Sequence, residues 1–276
     1  MDKLILTVAP AAPPAVLDAH PDLPRTPEEI SDEVVRAWQA GAAIAHLHVL
    51  DEDGRPTVEL AAFRRTIALI RERCDIIIEG STGGLGTLST AERCVALQAD
   101  IEMASLNPGS VNYGRHVYIN SPDDIDYWVQ EMRRRGIKPG ISVFDASWVE
   151  NALGYARDGL LDSPLVFNFV LGQRGAMPAT ARNLLYLVES LPPGAIWEVT
   201  GHEGHDLQAG VWAIALGGHA RAGFEDGIDY RRGERAPSNA ALIERLVRIG
   251  REAGREIASP REARALLGLH RAAPLP

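Results

Sequence analysis

Two cysteines, Cys74 and Cys94, are too few for a disulfide framework, which excludes a small secreted scaffold held by cross-links. No apolar run approaches the roughly 18 residues that a membrane helix needs. The opening residues, Met1 to Val8, show no basic stretch followed by a long apolar one, so no signal peptide is expected. Together these features read as a cytoplasmic protein. Basic residues are in the minority, 28 against 37 acidic, and the formal net charge is −9. The tight basic runs, Arg133-Arg134-Arg135 and Arg231-Arg232, are short, and the first reads as a solvated helix end. Phosphate neutralisation needs clustered Lys and Arg, so nucleic acid is not an expected partner. What remains is an ordinary globular composition, 46% hydrophobic and 24% charged, which excludes disorder, collagen and a simple coiled coil.

Strand and helix patterns alternate along the whole chain. Apolar runs predict strands at Leu4–Val8, Ile44–Val49, Ile76–Ile78, Ile101–Ala104, Lys138–Phe144, Leu165–Val170, Ile196–Val199 and Ala220–Phe224. Helical segments follow each of them. Thr26-Pro27-Glu28-Glu29, Ser89-Thr90-Ala91-Glu92 and Ser121-Pro122-Asp123-Asp124 each pair a capping hydroxyl with a carboxylate three residues later. Ser238 caps another helix, and Ser259-Pro260-Arg261-Glu262 opens a short extra one. Eight strand–helix units in 276 residues predict a (β/α)₈ TIM barrel, read as one domain over 1–276. The alternative is a doubly wound open sheet. No Gly-x-Gly-x-x-Gly follows the first strand, which weakens its nucleotide-binding version.

Barrel active sites lie at the C-terminal strand ends, so the polar residues there are the candidates. His46 and His48 alternate on one strand and share a face. Two converging imidazoles suit zinc or a similar divalent ion, although strand histidines also serve as packing groups. Glu225, at the end of strand eight, lies near strand one and then strand two in a closed barrel. It can supply the third ligand of a catalytic His₂-carboxylate site, flanked by Arg221 and Asp226. The same Arg and carboxylates can also form a structural pair that closes the barrel. Ser81-Thr82-Gly83-Gly84 offers hydroxyls and backbone N–H groups to an oxyanion, or is an ordinary Gly-rich turn. Ser105 and Asn107 form a similar shelf after strand four. Periodicity leaves open whether Glu79 faces the site or a helix. His202-Glu203-Gly204-His205 has the wrong spacing for a helical metalloprotease motif and reads as a loop contact. His20, His116, His219 and His270 have no companion ligands, and both cysteines read as packing residues.

These motifs, taken in order, resemble a known family. They are Thr7-Val8-Ala9-Pro10, Leu23-Pro24-x-Thr26-Pro27-Glu28-Glu29-Ile30 and Ala45-His46-Leu47-His48-x-x-Asp51-Glu52-Asp53-Gly54-Arg55-Pro56-Thr57. Ser81-Thr82-Gly83-Gly84, Glu102 to Asn112, Gly217 to Asp226 and Ser238-Asn239-Ala240 complete the set. The pattern resembles the β-keto acid cleavage enzymes over nearly the whole chain. The resemblance implies a zinc-dependent barrel, usually a homotetramer, that condenses a β-keto acid with acetyl-CoA. The products are acetoacetate and the CoA ester of the remaining acyl fragment. By matching positions, His46, His48 and Glu225 hold zinc, Ser81 and Gly84 contact the keto acid, and Ser105 or Asn107 lines the pocket. Arg221 and Asp226 are the charged pair of deprotonation and acyl transfer.

Two departures stand out. The family's strand-five pattern, Pro-Glu-x-Glu-x-Phe-Asp, is Pro139-Gly140-Ile141-Ser142-Val143-Phe144-Asp145 here, without either glutamate. The amine-recognising Glu near the N-terminus is replaced by the stretch Ala11-Ala12-Pro13-Pro14, which argues against an amino-substituted substrate. Pro10 to Pro14 and Ser142 suggest a small, uncharged or apolar substrate pocket. Glu79 is expected to supply the lost strand-five carboxylate to Arg221 and Asp226. The competing functions are a metal-dependent barrel hydrolase or carbon–carbon lyase that does not use CoA, and a keto-acid-binding protein without turnover.

Overall fold

The computed structural model describes residues 2–48, 50, 51, 55, 57–84 and 88–269. Val49, Glu52-Asp53-Gly54, Pro56 and His270 lie outside the described residues. The chain begins with β1 (Leu6–Val8), α1 (Pro14–Ala19), α2 (Pro27–Ala40), β2 (Ile44–Leu47), α3 (Leu60–Arg71) and β3 (Ile77–Gly80). A 3₁₀ helix (Glu92–Gln98), β4 (Met103–Leu106), β5 (Val111–Tyr113), β6 (His116–Tyr118), α4 (Pro122–Arg135) and β7 (Lys138–Val143) follow. Then come α5 (Ser147–Arg157), β8 (Val166–Leu171), α6 (Ala181–Glu189), β9 (Ile196–Gly201), α7 (Asp206–Leu216) and β10 (His219–Ala222). The last elements are β11 (Asp229–Arg231), β12 (Glu234–Arg235), α8 (Asn239–Glu252) and α9 (Pro260–Leu267).

Eight strands close a barrel in the order β1-β10-β9-β8-β7-β4-β3-β2. Every neighbouring pair is parallel. The fold is therefore the TIM barrel that the alternating pattern predicts. The capping residues do what their spacing requires. Glu29 N–H donates to Thr26 Oγ1 (3.2 Å), and Thr26 N–H donates back to Glu29 Oε2 (3.1 Å). Ser121–Asp124 and Ser259–Glu262 repeat the arrangement. Among the described residues no helix is long and apolar enough to cross a membrane.

Two apolar layers hold the barrel. The larger fills the space between strands and helices, with Phe63, Trp128, Leu184 and Leu242 fully buried. The smaller plugs the barrel's lower interior with Ile5, Ile44, Ile77, Met103 and Val166, packed on Ala263 and Leu267 of α9. Higher in the barrel the inward residues turn polar. Register pairs Thr7 with Arg221, His46 with Glu79, and Glu198 with both Asn168 and His219. Register partners on parallel strands share a face, so these side chains meet inside the barrel.

Some boundaries differ from the expected ones. β3 runs on to Gly80 and so includes Glu79, and β4 lies two residues later than expected. The segment after the third strand is a 3₁₀ turn rather than an α-helix. α1 and the hairpins β5–β6 and β11–β12 are too short for a periodic signal.

Candidate active site

His46 and His48 stand at the upper end of β2 and just beyond it. Their rings lie 5.4 Å apart, edge to face. Glu225 follows β10, and its backbone N–H is fixed by the carbonyl of Ala9 (3.1 Å) on the next strand's loop. Gly223 makes this close approach possible. A Cβ there would sit 2.1 Å from Ala9 O, and its φ of +157° also favours glycine. Glu225 Oε1 thus lies 3.2 Å from His48 Nε2 and 3.7 Å from His46 Nε2. One ligand atom from each of the three residues falls within 4.8 Å of the others.

Arg221 holds the acidic side of this cluster. Its Nη2 donates to Glu225 Oε1 (2.6 Å) and to Asp226 Oδ1 (2.8 Å), and its Nε donates to Asp226 Oδ2 (3.0 Å). Burial alone would raise the Glu225 pKa, but Arg221, His48 and His46 outweigh it and hold the carboxyl well below the usual range. Burial likewise opposes a charged His48, yet Glu225 brings its pKa above the ordinary value. The second oxygen, Glu225 Oε2, is buried and has no hydrogen-bond partner among the described residues. An unpaired buried carboxylate oxygen is costly. Beside two converging imidazole nitrogens, it is the donor set that a divalent cation completes. The residues present therefore fit a metal ion of the zinc type.

The Ser81–Gly84 loop lies against the cluster. A Cβ on Gly83 would be 3.8 Å from His48 Cε1 and 3.4 Å from the Tyr118 hydroxyl. Gly83 N–H donates to Ser81 Oγ (3.0 Å). Thr82 turns inward instead, its N–H donating to Ser105 Oγ (2.9 Å) and its hydroxyl to the Ser105 carbonyl (2.5 Å). Thr82 and Ser105 thus tie the β3 loop to β4. Asn107 is buried one residue past β4. Glu79 is not bonded to Arg221. Its Oε2 accepts from His46 Nδ1 at 2.7 Å. The structure thus places the Glu79 carboxylate on His46, the residue level with it in the β2–β3 register, rather than on the Arg221–Asp226 pair.

Several residues around the site have no catalytic role in the sequence reading. His202 Nε2 lies 3.9 Å from Asp226 Oδ1, and burial keeps its pKa below the ordinary value. Its position directly after a barrel strand was the available clue. His205 Nδ1 contacts the His202 carbonyl (2.9 Å), a contact within the loop. Arg93 braces the Ser81–Gly84 loop from behind. It donates to Thr82 O (3.0 Å), the Tyr118 hydroxyl (3.1 Å) and Asn120 Oδ1 (2.6 Å). Tyr113, Tyr118 and Phe144 form an aromatic wall with centroids 6.0–6.2 Å apart. His219 accepts from Ile5 N–H (3.1 Å), and burial lowers its pKa to about 3, so it is a neutral packing group.

Glu198 lies deeper, where it accepts from the Thr7 hydroxyl (2.7 Å). Burial first, and then the Glu79 charge, push its pKa from 4.5 to about 8. The folded protein keeps this proton at neutral pH while the unfolded chain releases it. Stability therefore falls as pH rises from about 4.5 to about 8. The isostere Glu198→Gln removes that penalty. It is expected to raise the melting temperature by a few degrees at pH 8 and by much less at pH 5. Thermal unfolding at the two pH values checks this.

A TIM barrel with imidazoles, carboxylates and an arginine gathered at its C-terminal mouth has the layout of a barrel enzyme. The model of the family described as beta-keto acid cleavage enzyme matches residues 3–269. The chain belongs to this family. It is 42% identical over 271 residues to the 3-keto-5-aminohexanoate cleavage enzyme of Fusobacterium nucleatum, covering 98% of this chain and 99% of that one. It is 38% identical over 254 residues to the 3-oxoadipate:acetyl-CoA acetyltransferase of Cupriavidus necator, covering 91% and 89%. Among solved structures, the apo structure of ObcA superposes with a TM-score of 0.76 at 22% identity. That match covers 90% of this chain and 66% of ObcA, and it speaks for the fold alone.

Proposed function

We propose that this chain is a zinc-dependent acyltransferase that cleaves a β-keto acid with acetyl-CoA. The products are acetoacetate and the CoA ester of the remaining acyl fragment. Family membership and the names of the relatives support the reaction class. The observation that carries the metal is the convergence of His46, His48 and Glu225 around an unpaired carboxylate oxygen. Zinc, when bound there, supplies a Lewis acid for the keto and carboxylate oxygens of the substrate.

The chain's own residues supply the rest. Ser81 and Gly84 offer a hydroxyl and an N–H group to the substrate carboxylate, with the Gly83 N–H holding Ser81 Oγ and Thr82 fixing the loop through Ser105. Asn107 lines the same pocket. Asp226 takes the α-proton onto a carboxylate oxygen. Arg221 keeps Asp226 and Glu225 oriented through its bonds to both and offsets negative charge as it develops. The α-carbon then attacks the thioester carbonyl of acetyl-CoA, forming a new carbon–carbon bond and releasing the CoA thiolate. That thiolate adds to the original keto carbonyl, whose bond to the α-carbon breaks in the retro-Claisen sense. The acyl fragment leaves as its CoA ester, and the α-carbon, now carrying the acetyl group, takes back a proton and leaves as acetoacetate. Glu79 acts through His46 rather than on the substrate.

The substrate side chain is small and uncharged or apolar in this reading, because the stretch Pro10 to Pro14 and Ser142 carry no charged group to pair with a charged one. One barrel domain over the whole chain, tetrameric assembly and a cytoplasmic location belong to the same proposal. The test is incubation of the zinc-loaded protein with acetyl-CoA and neutral, acidic and basic β-keto acids, read by mass spectrometry. A new CoA ester together with acetoacetate, strongest for the neutral acids, is expected. Turnover of a keto acid without acetyl-CoA would instead favour a metal-dependent lyase, a reading to which Gly140 and Ser142, standing in β7 where the family pattern has glutamates, lend weight.

A further inference from the structure

Gly140 sits inside β7, a place where glycine weakens a strand by roughly 0.5–1 kcal/mol relative to alanine. Its backbone is not left-handed, so conformation does not require glycine there. The reason lies across the barrel. A Cβ built on Gly140 would stand 2.2 Å from Glu79 Oε1, far inside contact distance. Glu79 comes from β3, and β4 separates that strand from β7. Its carboxylate therefore reaches past β4 and fills the space over Gly140. The other oxygen, Oε2, meets His46 Nδ1 at 2.7 Å. Glu79 and His46 are 6% and 4% exposed, so water does not compete for this bond.

A carboxylate only accepts, so the bond requires the proton on Nδ1. The lone pair is then left on Nε2, the nitrogen that faces Glu225 Oε1. We infer that Glu79 is a positioning residue that fixes the tautomer and orientation of His46 for metal binding, and that Gly140 is glycine to admit its carboxylate. The two positions form one unit, and neither touches substrate. This inference rests on the metal reading of His46, His48 and Glu225 proposed above.

The unit is tested by zinc titration of the full-length protein and of Glu79→Ala, Glu79→Gln, Gly140→Ala and the double variant Glu79→Ala/Gly140→Ala. Loss of such a supporting partner typically weakens metal affinity about 10–100-fold. Glu79→Ala is expected to fall in that range. Gly140→Ala is expected to weaken binding too, by driving the carboxylate off the ring. The double variant should be no weaker than Glu79→Ala, because the added methyl then enters vacated space. Glu79→Gln, which keeps the shape and an accepting oxygen, should lose only part of the affinity.

Long-range ¹H–¹⁵N spectra of histidine-labelled, metal-free protein read the tautomer independently. His46 should carry its proton on Nδ1 in the parent and in Glu79→Gln, and lose that preference in Glu79→Ala. Losses that multiply in the double variant, or an unchanged tautomer in Glu79→Ala, would overturn the inference. His48→Ala separates the two levels. If it binds zinc like the parent, the metal reading itself fails. If it loses zinc while Glu79→Ala binds normally, only the role of Glu79 fails.

Discussion

Alanine at His46 is expected to leave the purified protein without stoichiometric zinc and without measurable turnover. The ion would keep two protein ligands, His48 and Glu225, where catalytic zinc sites use three. The loss does not stop at the metal. Glu79 is buried and accepts its short bond from His46 Nδ1, so the variant strands a buried carboxylate. Leaving such a group unsatisfied costs about 1–3 kcal/mol, more when it is charged. His46→Ala should therefore melt below the parent even when both are metal-free. His48 differs, because its side chain is 35% exposed and its ring nitrogen meets the Glu225 carboxylate, which Arg221 also holds. His48→Ala should lose the metal with little change in apoprotein stability. Metal analysis and thermal unfolding of the metal-free proteins measure both effects. Full zinc occupancy in His46→Ala would show that the ligand assignment is wrong.

The asymmetry between the two histidines shows how far a sequence can be read. The His-x-His spacing places both rings on one strand face, and barrel closure brings Glu225 to them from the opposite end of the chain. Both steps depend on period and topology, which local pattern encodes. The capped helix starts at Thr26, Ser121 and Ser259 are legible for the same reason. What supports the rings is not legible. The Glu79–His46 bond depends on which residue of β3 stands level with His46, and one residue of register moves a side chain to the opposite face. The room above Gly140 depends on reach across an intervening strand. Glu198 and Arg93 are likewise isolated polar residues in sequence, and His202 reads there only as part of a loop cluster. They gain their meaning from distant partners, Thr7, Thr82 and Asp226. The short hairpin β5–β6, which carries Tyr113 and Tyr118, has too few residues to show alternation.

Asparagine at Asp226 is expected to abolish catalysis while leaving the site assembled. Asp226 is buried, with its side chain closed to water and both oxygens paired to Arg221. The amide keeps the size and one accepting oxygen, so Arg221 retains a contact there and keeps its bond to Glu225. Zinc content and melting temperature should then stay close to those of the parent. What is lost is the group that takes the α-proton. General-base catalysis contributes about 10²–10⁴-fold, so kcat should fall by about that factor with KM for the keto acid little changed. Deuterium uptake at the α-carbon in D₂O, measured without acetyl-CoA, isolates this step from acyl transfer. In the parent it should exceed the uncatalysed rate, and in Asp226→Asn it should return to that rate. If exchange persists with zinc retained, the proton goes elsewhere. His202 is then the next candidate, because its neutral ring lies 3.9 Å from the same carboxylate and burial favours its proton-accepting form.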